Sequence, residues 1–143
     1  MTHFGHCRRR LELAIEEACE GQTTWPARVA AAVGAAVELA AADPDAGRTL
    51  TEGAGRRHGD DAELLDLVDR LATLLEHGAP PRNRRLPAAP TLVMRIARQI
   101  NLELEAGRGS TLSAVAPDLT FLALMPYLGF AEARRWSQST ATA

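Results

Sequence analysis

Three metal-binding side chains stand together near the start of the chain, His3, His6 and Cys7, in the pattern H-x-x-H-C. Imidazole and thiolate both ligate Zn²⁺, but a structural site takes four ligands and draws them from separated pairs. No second pair follows at zinc-site spacing, so no metal is expected. His58 and His77 fall at expected helix ends. His77, beside Gly78, suits a helix C-terminus as a cation better than it suits proton transfer. The acids Glu16-Glu17, Asp60-Asp61 and Glu103 with Glu105 read as solvated helix faces and caps. Cys7 and Cys19 share one expected helix, about 18 Å apart at about 1.5 Å per residue, too far for an intrachain disulfide.

Patterns that assemble a reaction centre are missing. There is no G-x-S-x-G elbow, phosphate-binding loop, G-x-G-x-x-G after a strand, or H-E-x-x-H helix. The expectation is a non-enzyme with no catalytic residue, no metal and no cofactor. The arginines at 8–10, 56–57, 82–85 and 134–135 are dispersed among acids, and the formal charge is −2. A DNA-reading helix needs basic residues with Asn or Gln readers on one face. No segment supplies them, so direct nucleic-acid binding by these residues is disfavoured.

The elements that would position any site are helices. The 143 residues are 46% hydrophobic but only 4% aromatic, and alanine and leucine dominate where strands would draw on β-branched and aromatic types. This predicts one all-α domain, a helical bundle of about six to seven helices. Leu11, Ala14, Ile15, Ala18 and Cys19 recur at helical spacing over 7–20, with Gly21 as a stop. Thr24-Trp25-Pro26 opens a second helix with the face Val29, Val33, Ala36, Val37 and Ala40, and Gly34 suits close helix approach. Asp43-Pro44 caps a short third helix that fades near 53–55.

After a break at His58-Gly59, Asp60 and Glu63 have capping-box spacing. The helix that follows carries Leu64, Leu67, Val68, Leu71, Ala72, Leu74 and Leu75, a face wide enough to predict a central position. Proline-rich 79–90 reads as a flexible connection to a long helix over 88–106. Two further helices follow over 119–128 and 130–137. The N-terminus has no apolar signal-like run, and Leu119 to Ala131 falls short of the about 20 residues that a membrane span needs. A soluble, cytoplasmic protein with no membrane partner is expected.

Four of the six aromatics, Phe121, Tyr127, Phe130 and Trp136, fall in the last quarter of the chain. From Leu119 to Leu128 apolar side chains point in nearly every direction, and a helix of that kind is buried on all sides. A second subunit over one face achieves this most simply, which predicts a homodimer; a core helix within a monomer is the alternative.

The stretch Ala116 to Ala133 resembles the C-terminal signature of TetR-family transcriptional regulators. It has their acidic-Leu-Thr start (Asp118-Leu119-Thr120), an apolar helix, Pro126-Tyr127-Leu128-Gly129, and a short acidic-Ala helix. Trp25-Pro26-Ala27-Arg28-Val29, the Ala-rich helix after it and Ala42-Asp43-Pro44 are similar to the start of that family's sensor domain. His3-Phe4-Gly5 resembles the junction from its DNA-binding domain, while His6-Cys7-Arg8-Arg9-Arg10 departs from the polar-Lys-acidic run usual there. The likeness spans about residues 3–137.

The resemblance implies that residues 1–6 are the junction to a helix-turn-helix domain missing from the chain, and DNA would be bound only through that domain. Residues 7–137 would be an effector-sensing and dimerisation domain, and 138–143 a disordered tail. A small, mostly apolar effector would bind between the helices at about 7–20, 25–42, 60–78 and 88–106, and modulate DNA binding. Candidate lining residues are Val33, Val37, Leu64, Leu67, Leu71, Met94, Ile96 and Ile100, with Arg95 and Gln99 to orient the ligand. The homodimer would be a four-helix bundle of 88–106 and 117–129 from each subunit. Its candidate contacts are Val93, Ala97, Leu104, Leu119, Leu122, Leu124, Met125, Tyr127 and Leu128. A second reading is a stand-alone helical module that heterodimerises with related regulators.

Overall fold

The structure is a computed structural model that describes residues 2–55 and 62–141. It is all-helical, as the composition predicts. In chain order come α1 (His3–Cys19), α2 (Trp25–Ala42), α3 (Pro44–Thr51), a 3₁₀ turn (Glu52–Gly55), α4 (Ala62–Glu76) and α5 (Ala89–Glu105). A 3₁₀ segment (Gly109–Val115) then leads into α6 (Ala116–Leu128) and α7 (Phe130–Ala141). No strand occurs among the described residues.

Local chemistry sets the helix starts. The Thr2 hydroxyl accepts from the Gly5 N–H at 2.9 Å, so α1 begins at His3 and takes in residues 3–6 as its first turn. Thr24 accepts from the Ala27 N–H, with Pro26 in the first turn of α2 where its missing donor costs nothing. Asp43 accepts from the Ala46 N–H at 3.1 Å and also meets Arg10 at 2.7 Å, which ties the start of α3 to α1. His58, Gly59 and Asp60, the expected break and cap before α4, lie outside the described residues.

α2 is the axis of the bundle, packed against α1, α3, α6, α7 and the second 3₁₀ segment. Its Val29, Val33 and Val37 join Ile100, Leu104, Leu112, Leu119 and Leu124 in one core. Its opposite side, at Ala35, packs with Cys7, Leu11 and Ile15 of α1, Ala46 and Leu50 of α3, and Leu67 of α4. A helix so uniformly apolar can be satisfied only between two such layers. α2 and the continuous stretch Gly109–Leu128 are long and apolar enough to cross a membrane by length and composition, where the sequence reading found no run of that length. Both supply core residues of this bundle.

Several expectations are corrected. α4 is peripheral rather than central, packing chiefly on α5 and leaving Leu65 42% and Leu74 49% exposed. Gly34 has open space around it. The close approach occurs at Gly47, where a Cβ would stand 2.8 Å from Leu104 Cδ1 and 2.9 Å from Ala40 Cβ. The connection from α4 to α5 is pinned rather than loose: the Asn83 N–H donates to Pro126 O at 2.8 Å and Arg82 Nη1 to Leu86 O at 2.5 Å. α7 runs on to Ala141, past the expected end near Ser137.

Candidate functional site

A cavity of about 740 Å³ lies among α1, α2, α3, α4 and α5. That is within the about 300–1,000 Å³ typical of small-molecule pockets. It exists because α1 and α4 barely meet. Thr2 Oγ1 donates to Glu63 at 2.9 Å and Arg8 Nη1 to Asp66 at 2.5 Å, both near the helix starts. Ala32 and Ala36 of α2 are too short to fill the gap behind them.

The walls are aliphatic. α1 supplies Leu11 and Ile15, α2 Val29 and Val33, α3 Leu50, α4 Leu64, Leu67, Val68 and Leu71, and α5 Ile96 and Ile100. Half-exposed Leu13 and Leu74 flank the opening with Arg9, Glu16, Arg70 and His77. One end is built by the first turn of α2 and the last turn of α4: Trp25 Nε1 donates to Leu75 O at 2.7 Å, and Arg28 lies over Gly78. Gly78 has φ +78, so the chain leaves α4 there in a left-handed conformation. Burial at this end also pushes the Cys19 thiol pKa up, which keeps it protonated.

Of the residues expected to line a ligand site, Val33, Leu64, Leu67, Leu71, Ile96 and Ile100 do line the cavity. Val37 instead lies in the α2–α5–α6 core, 1% exposed. Met94, Arg95 and Gln99 are not on the wall, and Arg95 and Gln99 are exposed. Val93 and Ala97, expected at a dimer interface, line the cavity. Leu104, Leu119 and Leu124 are buried within this chain's own core, so they offer no free surface to a second subunit. Leu122, Met125, Tyr127 and Leu128 are half-buried on α6. The expected site includes the 7–20 helix but none of its residues by name; Leu11, Ile15 and Cys19 of α1, one face at i, i+4, i+8 spacing, line the cavity.

The other candidates resolve as packing. Cys7 is buried, with Sγ 3.9 Å from His3 Nε2, while His6 is exposed. Among the described residues no group of three His, Cys, Asp or Glu stands where it could hold a metal ion. Glu103 is not a solvated acid: Arg108 Nε donates to it at 2.6 Å and Gln99 Nε2 at 3.3 Å, and the carboxyl is largely covered. The Arg108 guanidinium holds the Glu103 carboxyl below the usual carboxylate range. Tyr127 sits edge-on to Trp25 with centroids 4.9 Å apart, and burial raises its phenol pKa. Comparison with family models, with curated proteins and with solved structures gives no match to this chain, so its own geometry carries the functional reading.

Proposed function

We propose that this chain is the effector-sensing and dimerisation domain of a TetR-type transcriptional regulator, with operator DNA read by a helix-turn-helix unit outside residues 1–143. The observation that carries the reading is the aliphatic cavity of about 740 Å³, walled by the helices that the sequence resemblance assigns to effector binding. An occupant between α1 and α4 acts on α1, the helix nearest the start of the chain. It shifts an equilibrium only by binding one arrangement of these helices more tightly than the other. Apolar surface left over on α5, α6 and α7, including Leu102 at 49% and Phe130 at 58% exposed, supports a homodimer across this side.

Thermal-shift screening with hydrophobic and drug-like compounds tests the sensor. A ligand at about 100 times its Kd stabilises the fold by about 2.7 kcal/mol. A library without a single stabilising compound counts against it. Light scattering tests the dimer, and a monomer mass at micromolar concentration refutes it.

A further inference from the structure

The cavity wall is unequal in its charges. Arg9, Glu16, Glu20, Arg70 and His77 are exposed at the rim, where water already solvates them. Glu12 is half-buried but engaged by Arg8 at 2.8 Å. Thr51, towards the α3 side, spends its hydroxyl on Gly47 O at 2.7 Å. Arg28 differs from all of these. It is half-buried, lines the cavity, and makes no ion pair or side-chain hydrogen bond among the described residues.

The guanidinium lies over the turn that ends α4, with Nη2 2.8 Å from where a Cβ on Gly78 would stand; the φ of +78 is what calls for glycine there. A partly desolvated guanidinium gains most from a carboxylate, which it binds through two parallel N–H donors. Among the described residues a cationic head would find no comparable partner, because the unpaired acids of the wall, Glu16 and Glu20, are at the solvent rim. Behind the rim the described wall is mainly leucine, isoleucine, valine and alanine, with Trp25 its one large aromatic, so it favours a flexible hydrocarbon over a stacked ring system.

We infer that the cavity takes an aliphatic amphiphile whose carboxylate is held by Arg28 and whose chain lies along the α1–α4 gap. This rests on the reading of the cavity as an effector site. The test compares dodecanoate, 1-dodecanol and dodecyltrimethylammonium, the ions below their micelle concentrations and the alcohol below its solubility limit, by calorimetry on the full chain and on R28Q. Dodecanoate should bind at least tenfold more tightly than the alcohol or the cation, and affinity should fall about fourfold for each methylene removed toward octanoate. R28Q should abolish the preference for the acid while leaving alcohol binding within twofold. R28K, a point charge without the fork, should keep part of it.

Equal binding of the three heads, or a preference that survives R28Q, overturns the role of Arg28 and leaves the sensing cavity standing. If none of the three binds, the amphiphile class falls, and the wider thermal-shift screen decides the sensor reading separately. A purely structural role for Arg28 would lower the melting temperature of the free protein without changing head-group selectivity, and that result also overturns the inference.

Discussion

Ala35 and Ala36 are neighbours on α2, yet only Ala36 borders the cavity; Ala35 is 8% exposed within the α1–α3 core layer. Replacing either by leucine makes the same small change in helix propensity. Ala36→Leu adds three carbons to unfilled apolar space, worth about 2.4 kcal/mol at about 0.8 kcal/mol per methylene. Ordering the new side chain costs about 0.5–1 kcal/mol. The net is a stabilisation of about 1.5 kcal/mol, or about 5 °C in Tm for a chain of this length. Ala35→Leu instead forces the same carbons into packed surroundings, at a cost of about 1–3 kcal/mol. Urea unfolding of both variants, followed by helical circular dichroism, separates the signs through their midpoints. If Ala36→Leu destabilises as much as Ala35→Leu, the gap is not the open volume described, and the sensor argument loses its foundation.

Leu124 is fully buried in the chain's own core, so Leu124→Ala should cost about 2–5 kcal/mol at every protein concentration; a penalty that disappears on concentration would return Leu124 to an interface. Trp25→Phe removes the indole donor to Leu75 O and should cost about 1–2 kcal/mol, measured by thermal unfolding; an unchanged midpoint would show that bond to be inconsequential. The Glu103 carboxyl is held down by Arg108 and that of Asp43 by Arg10 and the Ala46 N–H. Because both folded-state pKa values are depressed, their contribution is complete above the ordinary carboxylate value of about 4 and is lost as pH falls through the folded values. Glu103→Gln should therefore flatten the acid limb of the urea midpoint against pH, and an unchanged limb would show the Arg108 pairing to be inconsequential.

The parts of this fold that were legible in the sequence are those fixed by short-range chemistry. Thr24, Asp43 and Pro44 start helices where their side chains and ring geometry dictate, and Gly78, Gly107 and Gly129 follow helices at positive φ. Six of the residues that the family resemblance implies as lining do border the cavity; helical periodicity put them on apolar faces. It could not set the rotation of each helix about its own axis, because neighbours decide that. Val37 therefore turned into the core, Val93 and Ala97 into the cavity, and Leu119 and Leu124 away from the outer surface. The breadth of the apolar face on α4 suggests a central position that the helix does not take. Its physical cause is that part of that face borders empty space rather than a helix. Glu103 looked like a surface acid because its partner, Arg108, comes from beyond the helix end.

The sparse fastening of α1 to α4 has a mechanical consequence. What crosses that gap at the helix starts is a threonine hydroxyl on Glu63 and an arginine on Asp66, whose side chain is 71% exposed. Exposed pairs of this kind are worth about 0–1 kcal/mol each. The opposite border of α4, against α5, holds most of its packing, and only the Leu67 side of the helix reaches the core layer shared with α1. Parting α4 from α1 thus breaks little, while parting it from α5 breaks much. α4 is hung like a door, latched lightly on one side and hinged on the other, and amide exchange along it should be set by the latch.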